Sequence, residues 1–318
     1  MATDLLKNPI FNAETAAREW LEARVWPEGP TCPHCGNADQ GKIRGLQGKA
    51  HRPGLYQCAE CREQFTVTVK TVFERSKIPL TKWLAALFLM TASKKGVSAH
   101  QVHRMLGISY KSTWFMMHRL REAMRSGGLE PLGGRGKVVE ADETYHGQVE
   151  TPRVSKQRHG RPYKRRNTIG SKRPIVALVE RGGPVRTFHT AVTDAATVAQ
   201  IVRDNMRRDS RLHTDESKLY IGVGQEFAAH ETIKHTADEY VRGDVTTNTV
   251  ENYFSVFKRG MRGVYQHCSE KHLHRYLAEF DFRYNNRAAL GVEDGERAST
   301  LAAGITGKRL TYRRPYQA

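Results

Sequence analysis

Two CxxC pairs constrain the fold of this chain more than any other feature of its sequence. Cys32 and Cys35 form the first pair, Cys58 and Cys61 form the second, and 22 residues separate the pairs. Each pair can lie on a tight turn that directs both sulfurs at one ion, and the spacing is close to that of four-thiolate zinc ribbons. A segment this short cannot build a hydrophobic core, so a metal would replace that core. We therefore expect a structural Zn²⁺. Four unrelated cysteines or a thioredoxin-like redox pair are the alternatives.

The net charge favours a polyanionic partner. The chain has 51 Lys and Arg against 33 Asp and Glu, a formal charge of +18, and each phosphate that a basic residue neutralises releases condensed counterions. A ribosome-associated or membrane-surface protein is the alternative to a nucleic-acid-binding one. No apolar run approaches the roughly 20 residues of a membrane span, and the N-terminus lacks a long apolar signal region. We therefore expect no membrane association and a cytoplasmic, nucleoid-associated protein.

A helical segment follows the cysteines. Apolar residues recur at intervals of three and four between Leu80 and Met124, which predicts a small helical bundle. Within it, residues 97–114 have helix-turn-helix spacing, because Gly107 suits the turn and Ser109 can cap the next helix. An ordinary three-helix connector has the same apolar period. If the second helix enters a major groove, four polar residues on it would contact DNA: Lys111, Ser112, Arg119 and Arg121.

The remainder of the chain alternates between strand-like and helix-like patterns. Three strand-like runs come first, and the second and third are joined by a Gly-Gly-Pro hairpin turn. A helix, two further strands and two long helices follow, so the pattern predicts an α/β layer with a mixed sheet. The strands are expected at 138–145, 174–180, 185–192, 211–215 and 232–235, and the helices at 195–206, 249–261 and 270–282.

Three acidic residues occupy positions from which they could converge on divalent cations. Asp142 lies on the first of these strands and Asp215 ends another, and an ionised carboxylate at a buried strand end is costly unless a cation compensates it. Glu251 lies near the start of a long helix, and Lys258 follows two turns later on the same face. Two Mg²⁺ or Mn²⁺ ions held by three carboxylates suit phosphoryl transfer, and Lys258 would then contact the substrate phosphate.

Other residues compete for these roles. Glu140 shares the face of Asp142 by the period of two, whereas Glu143 points to the other face, so Glu140 is the favoured accessory ligand. Asn248 is a minor rival to Glu251, because a carboxylate binds a hard cation more strongly than an amide does.

Additional basic residues are candidates for DNA contact. A basic insertion between Gly147 and Arg173 is either a solvated loop or a contact to the DNA backbone. His213, His267, His272 and His274 are numerous enough to suggest a role, whereas most histidines in a basic protein are surface or packing residues, and Cys268 receives no role. The residues of this group that we expect at DNA are Lys164, Arg165, Arg166, Arg259 and His267.

Several motifs together resemble a known family. They are CPHCG, CAEC, ADETYHG, HTDES and NTVENYFSVFKRGMRGVYQH, followed by HLHRYLAEFDFRYNNR. In their order and spacing, over about residues 11–287, they are similar to the insertion-sequence DDE transposases with an N-terminal zinc ribbon, the ISXO-type group. The resemblance implies an RNase H-like catalytic fold with Asp142, Asp215 and Glu251 as the triad and Lys258 as the phosphate contact. The 36 positions between Asp215 and Glu251 are similar to the family's range.

The expected architecture is an α+β multidomain chain. It consists of an N-terminal helix and zinc ribbon (1–75), a helix-turn-helix-like domain (76–126), a Gly-rich linker (127–137), an RNase H-like domain with a mixed sheet (138–300) and a basic tail (301–318). The expected protein is a homodimeric or larger transposase. It would bind the terminal inverted repeats of its element on double-stranded DNA, free a 3′-hydroxyl and join it to target DNA. A catalytically inactive DNA-binding regulator and an RNase H-like nuclease that does not transpose are the alternatives.

Overall fold

A computed structural model describes residues 7–149 and 171–311 apart from Ser126 and Gly128, together with the backbone of residues 154–158 and 161–164. The chain forms two compact units. The first comprises Met1–Arg125 and Gly291–Ala318, and the second comprises Ser126–Leu290. Among the described residues, every helix is too short or too polar to cross a lipid bilayer.

The first unit begins with a helix and a small antiparallel sheet. Pro27, Gly29 and Pro30 follow the helix and prevent its continuation. The three strands pair in the order β1-β2-β3, and Phe65 is fully buried beneath them beside the cysteine pairs. These elements are α1 (Glu14–Val25), β1 (Ile43–Leu46), β2 (Leu55–Cys58) and β3 (Gln64–Phe65).

Helices form the remainder of this unit. Ser98 caps α3 by accepting a hydrogen bond from the Gln101 amide, and Ser109 caps α4 in the same way through Ser112. Gly107 ends α3 in the left-handed conformation with φ of 60°, which a residue with a side chain rarely adopts. The sequence-based turn and cap are therefore both confirmed. The helices are α2 (Leu80–Ala92), α3 (Ala99–Leu106), α4 (Tyr110–Met124) and α9 (Asp294–Ala303).

The domain boundary expected at residue 300 differs from the structure, because the chain returns to the first unit at Gly291. Helix α9 packs against α1 and α2, with Leu301 buried. Arg297 donates to the Thr91 carbonyl at 3.0 Å, and Nε of Arg24 donates to Oγ of Ser299 at 2.9 Å. Residues 301–311 therefore continue this packed segment instead of forming a separate tail. Helix α9 packs against α1 and α2, which lie far away in the sequence. The local pattern of apolar residues in α9 therefore does not indicate where the helix packs.

The expected linker also belongs to a folded unit. Leu132 is buried, and its amide and carbonyl bond to the backbone of Asn205 and Arg207. Gly134 donates its amide to Oγ of Ser210 at 2.7 Å. The Gly-rich segment is thus the first part of the second unit.

A five-stranded mixed sheet forms the centre of the second unit. Its order is β10-β9-β4-β7-β8; β4 pairs with β9 in parallel and with β7 antiparallel, and β9 pairs with β10 in parallel. Numbered along the chain, these strands have the order 3-2-1-4-5 with the second antiparallel, which is the RNase H-like arrangement that the sequence led us to expect. The strands are β4 (Val138–His146), β7 (Arg173–Glu180), β8 (Val185–His189), β9 (Arg211–Asp215) and β10 (Ala229–Ile233), and a separate hairpin pairs β5 (Val154–Arg158) with β6 (Arg161–Lys164).

Helices cover both faces of this sheet. Along β7, Val176 and Leu178 pack with α5, whereas Ile175, Ala177 and Val179 pack with α7 and α8. This alternation follows from the period of two in a strand that is buried on both faces. On β4 the first face carries Val139 and Ala141, so Glu140 and Asp142 point towards α7. The helices are α5 (Ala195–Asn205), α6 (Ile221–Gly224), α7 (Asn248–Gly260) with a π-helical turn at Met261–Tyr265, and α8 (Glu270–Asn285).

Candidate active site and zinc site

An open pocket of about 430 Å³ lies between the end of β4 and one face of α7. Asp142 and Glu143 line its strand side, and the helix side carries Glu251 together with basic side chains. The helix contributes residues at positions 251, 255, 258 and 262, a spacing that keeps them on one face. The lining residues are Asp142, Glu143, Thr144, Glu251, Phe254, Ser255, Lys258, Arg259 and Arg262.

Asp142 is half-buried at the strand side of the pocket. Glu140 is paired with His213 across β4 and β9, so continuing this parallel register by two residues brings Asp142 beside Asp215. Burial, followed by the nearby carboxylates of Glu143, Asp215 and Glu251, raises the pKa of Asp142 to about 8. The structure thus places the three predicted acidic residues close enough to repel one another.

Glu251 and Lys258 both line the pocket from α7, as the two-turn spacing predicted. The Glu251 side chain is 45% exposed, and its Oε1 accepts a hydrogen bond from the Thr247 hydroxyl at 2.7 Å. Nε2 of His235 lies 3.4 Å from the same oxygen. His235 was not identified from the sequence, because it reaches Glu251 only through the loop that follows β10. Asn248 is exposed at the start of the helix and does not line the pocket.

Glu143 lines the pocket, although the period of two placed it on the face of β4 opposite Asp142. Its side chain accepts hydrogen bonds from the hydroxyls of Tyr220 at 2.9 Å and Ser217 at 3.5 Å. Burial raises its pKa, while the Tyr220 hydrogen bond lowers it. The alternation on β4 is as predicted, but the pocket opens at the strand end, where both faces are accessible.

Glu140 faces α7 as predicted, yet its expected role as an accessory metal ligand is wrong. The side chain is fully buried and lines no part of the pocket. Its Oε1 accepts hydrogen bonds from Arg181 and the Thr249 hydroxyl, and its Oε2 accepts from the amides of Thr249 and Val250. With both oxygens occupied by donors, the carboxylate has no free lone pair directed at an ion.

Basic residues give the helix side of the pocket positive charge. Lys258, Arg259 and Arg262 lie opposite Asp142 and Glu143, and Arg262 belongs to the π-helical turn that continues α7. Burial, together with the charges of Arg173, Arg262 and Lys258, lowers the pKa of the adjacent His146 to about 4. Arg262 was not identified from the sequence; its position eleven residues after Glu251, three helical turns, was the available signal.

The acidic side of the pocket has the chemistry of a divalent cation site. Carboxylate oxygens are the ligands that Mg²⁺ and Mn²⁺ prefer. Asp142 is half-buried next to three other carboxylates; burial and their charges together raise its pKa, and a bound cation would compensate their negative charge. Asp142, Asp215 and Glu251 therefore fit such an ion.

The four cysteines fit a tetrahedral zinc ion. Their sulfurs lie within 4.8 Å of one another, and the Cys32–Cys61 and Cys35–Cys58 pairs are separated by 3.6 and 3.7 Å. A tetrahedron with Zn–S bonds of about 2.3 Å has edges of roughly 3.8 Å. Nδ2 of Asn37 donates to the Cys58 sulfur at 3.6 Å, an interaction that stabilises a thiolate. The structure thus supports the predicted Zn²⁺ at this site.

The predicted DNA contacts of the helical segment divide into two groups. Lys111 and Ser112 are exposed in the first turn of α4. Arg119 and Arg121 are only 7% and 2% exposed, so their predicted contact with a major groove is wrong for this conformation. The guanidinium of Arg119 instead donates to the Glu74 carbonyl at 2.6 Å and lies over the ring of Trp83.

The remaining predicted DNA contacts lie in the second unit. Arg259 is exposed at the pocket, and His267 is exposed just after the π-helical turn. Arg165 and Arg166 lie outside the described residues, and only the backbone of Lys164 is described, in β6. His213 is buried between Arg181 and Glu231, so it is a packing residue.

Two family models match this chain. Residues 12–64 match the transposase zinc-ribbon domain, and residues 131–285 match the ISXO2-like transposase domain. The first range contains the four-cysteine site, and the second contains the RNase H-like sheet with the pocket. Both matched domains are transposase domains. More particularly, the chain joins a transposase zinc ribbon to an ISXO2-like transposase domain, as its motifs indicated.

A curated relative and two solved structures are also similar. The uncharacterized protein in transposable element ISH50 of Halobacterium salinarum is 29% identical over 290 residues, which cover 86% of this chain and 91% of that protein. The Mos1 strand transfer complex is 14% identical with a TM-score of 0.29, covering 69% of this chain and 73% of that chain. A simian T-cell lymphotropic virus intasome, in complex with the PP2A regulatory subunit B56 gamma, is 10% identical with a TM-score of 0.28, covering 57% and 63%.

Proposed function

We propose that this transposase cleaves a phosphodiester at the ends of its element and transfers the resulting 3′-hydroxyl to target DNA. The observation that carries the proposal is the meeting of Asp142, Glu251 and Lys258 in one open pocket, with Asp215 beside Asp142. Three carboxylates next to a cluster of cationic side chains match the divalent ions that activate a phosphodiester and the phosphodiester itself.

Each group has a role that follows from its position. Asp142, Asp215 and Glu251 would hold two Mg²⁺ or Mn²⁺ ions, which when bound activate the attacking oxygen and stabilise the leaving one. Lys258 and Arg262 would bind the non-bridging oxygens of the phosphate and fix its orientation. The Thr247 hydroxyl keeps one Glu251 oxygen oriented towards the site.

DNA recognition is a separable part of the proposal. Lys111 and Ser112 are exposed at the start of α4, where the end of a recognition helix meets base edges. The formal charge of +18 favours phosphate contacts in general. We propose that the zinc-ribbon and helical unit binds the terminal inverted repeats, and that a homodimer or larger assembly brings two ends together.

The test compares Asp215→Asn with wild type on oligonucleotides ending in the element's repeats. We expect loss of Mg²⁺- or Mn²⁺-dependent cleavage and strand transfer by at least about 10³-fold, because one metal ligand is lost. End binding should change little, since the reading surface lies elsewhere in the sequence. Asp209→Asn is the matched control, because Asp209 is exposed and its ion pair within the described part of the chain is with Arg207. Cleavage that persists in Asp215→Asn would show that the assigned residues are not the catalytic ones.

A further inference from the structure

We propose that Glu140 is a positioning residue that fixes the start of α7, and with it Glu251 and Lys258, against the strand that carries Asp142. The inference rests on the proposed function, because it concerns the same pocket. It assigns Glu140 a role other than metal binding, through contacts that hold one side of the pocket to the other.

The contacts of Glu140 join two elements that are far apart in the sequence. Its Oε2 accepts from the Thr249 amide at 2.8 Å and from the Val250 amide at 3.1 Å, and its Oε1 accepts from the Thr249 hydroxyl at 2.8 Å. The side chain is fully buried. A buried carboxylate with this many donors is held in one orientation.

These bonds replace the usual cap of α7. The first amides of a helix have no partner within the helix, and a side chain just before it normally accepts from them. Thr247 occupies that position but makes no capping hydrogen bond, and its hydroxyl donates to the Glu251 side chain. Glu140 caps the helix from β4 instead, and its negative charge suits the positive end of the helix dipole. The helix start is thereby fixed to the sheet.

Arg181 extends the same network to the loop before α7. Its guanidinium donates to Glu140 at 2.8 Å and also to the carbonyls of Asp244 and Thr246 at 2.8 and 3.2 Å. Nη2 of Arg181, which donates to Glu140 and Thr246, lies 3.3 Å from Nδ1 of His213. His213 precedes Asp215 by two residues. Arg181 therefore connects Glu140 to the strand of Asp215 and neutralises a charge that would otherwise be buried alone.

The network lies one strand repeat from the pocket. Asp142 follows Glu140 by two residues, about 7 Å along the same face of β4. Glu251 follows Val250 directly, so any shift of the helix start moves the Glu251 carboxylate relative to Asp142. A displacement of about an ångström between these two carboxylates is enough to reduce catalysis substantially.

The test uses two variants of differing severity and one matched control. Glu140→Gln keeps the shape but replaces one acceptor oxygen with a donor that faces N–H groups. Thr249→Val removes a single hydroxyl donor and is the milder change if Glu140→Gln folds poorly. Glu180→Gln is the control, because Glu180 ends β7, accepts from Lys137 and the Gly133 amide, and lines no part of the pocket.

Two readouts separate positioning from simple destabilisation. Hydrogen exchange of the metal-free, DNA-free protein should accelerate at least about tenfold at the amides of residues 249–252 in Glu140→Gln, less in Thr249→Val and not in Glu180→Gln. Cleavage of repeat-ended oligonucleotides should fall about 10–100-fold in Glu140→Gln, with a higher Mg²⁺ concentration at half-maximal rate and unchanged end affinity.

The outcomes distinguish the two proposals. If wild type does not cleave, the proposed function fails, while hydrogen exchange alone still decides whether Glu140 fixes α7. Exchange that is unchanged at 249–252, or that rises equally throughout the second unit, overturns the positioning role. Full cleavage by Glu140→Gln at the wild-type Mg²⁺ requirement overturns it as well.

Discussion

Tyr220 donates a hydrogen bond of 2.9 Å to Oε2 of Glu143 from a fully buried position. Its ring packs in the core between the sheet and α5, whereas Glu143 lines the pocket. The acidic side of the pocket is thus tied to the hydrophobic core by one hydroxyl group. A substitution deep in this core should therefore alter the pocket as well as the stability of the fold.

Tyr220→Phe tests this connection. Glu143 loses a donor that lowers its pKa, so we expect its pKa to rise further and the free energy of unfolding to fall by about 1–2 kcal/mol. Cleavage should fall by roughly tenfold, since a partner of a pocket carboxylate is lost. Urea unfolding and oligonucleotide cleavage measure the two effects. Tyr145→Phe removes a half-buried hydroxyl whose partner among the described residues is Thr193, and it should affect neither strongly; equal cleavage by both variants contradicts the connection.

The sheet could be predicted from sequence because its physical cause is local. The alternation of apolar and acidic residues on β4, the continuous apolar run of β7 and the turn at 181–184 depend on residues that are neighbours in the chain. The same alternation correctly assigned Glu140 and Asp142 to one face. It did not indicate that Arg181 and the Thr249 amide donate hydrogen bonds to the Glu140 carboxylate, because these donors lie 41 and 109 positions away in the sequence.

The burial of Arg119 was beyond prediction for a related reason. Its position on α4 indicates a polar helix face, but the Glu74 carbonyl and the Trp83 ring that enclose it belong to preceding segments. A long side chain can also lie along apolar surface while its charge finds a backbone acceptor. Whether an arginine reaches solvent or packs inside thus depends on tertiary contacts.

Lys111 and Arg119 should therefore respond differently to substitution. Lys111→Ala should weaken binding to repeat DNA by about tenfold and reduce the salt dependence by about one ion, with unchanged thermal stability. Arg119→Met should instead lower the free energy of unfolding by about 1–3 kcal/mol, because it removes a buried donor. Fluorescence anisotropy at several salt concentrations, combined with thermal unfolding, separates the effects. A large loss of DNA affinity in a stably folded Arg119→Met would restore that residue as a DNA contact.

Zinc removal should unfold the ribbon locally. Trp26 packs edge-on against Tyr56 at 5.5 Å and Phe65 at 5.7 Å, and Phe65 lies in the same core as the cysteines. Chelation, or Cys58→Ser, should therefore expose Trp26 and shift its fluorescence to longer wavelength, since so small a sheet depends on its metal. Elemental analysis should find one zinc per chain. Cys268→Ser is the matched control, because Cys268 lies outside the four-cysteine site, and it should retain the zinc and the wild-type spectrum.

Asp281 should make the stability of the second unit depend on pH. Burial raises its pKa to about 7, although the hydroxyls of Tyr253 and Thr187 bond to it. The folded state therefore binds the proton more tightly than the unfolded state. The contribution to stability is complete below pH 4 and is lost as the pH rises through about 7. Relative to Asp281→Asn, wild type should lose on the order of 2 kcal/mol between pH 5 and 8.

Hydrogen exchange of α8, corrected for the intrinsic pH dependence of exchange, measures this difference in the intact protein. Asp209→Asn, which changes an exposed acid in the same unit, is the matched control for the substitution itself. A difference between wild type and Asp281→Asn that stays constant with pH would mean that Asp281 titrates alike in the folded and unfolded states.

Arg262 should bind substrate phosphate together with Lys258. Both line the helix side of the pocket, Lys258 from α7 and Arg262 from the π-helical turn that continues it. Arg262→Gln should reduce the cleavage rate by about 10²-fold while leaving end binding by the helical unit nearly unchanged, because a guanidinium that contacts only the reacting phosphate acts on the chemical step. Arg262→Lys should recover part of the rate, since it restores the charge without the paired donors.

Arg275→Gln, a change of the same kind on α8 and outside the pocket, should cleave at the wild-type rate. If Arg262→Gln instead loses end binding and cleavage in parallel, Arg262 contacts flanking DNA, and the orientation of the phosphate must depend on Lys258 and Arg259.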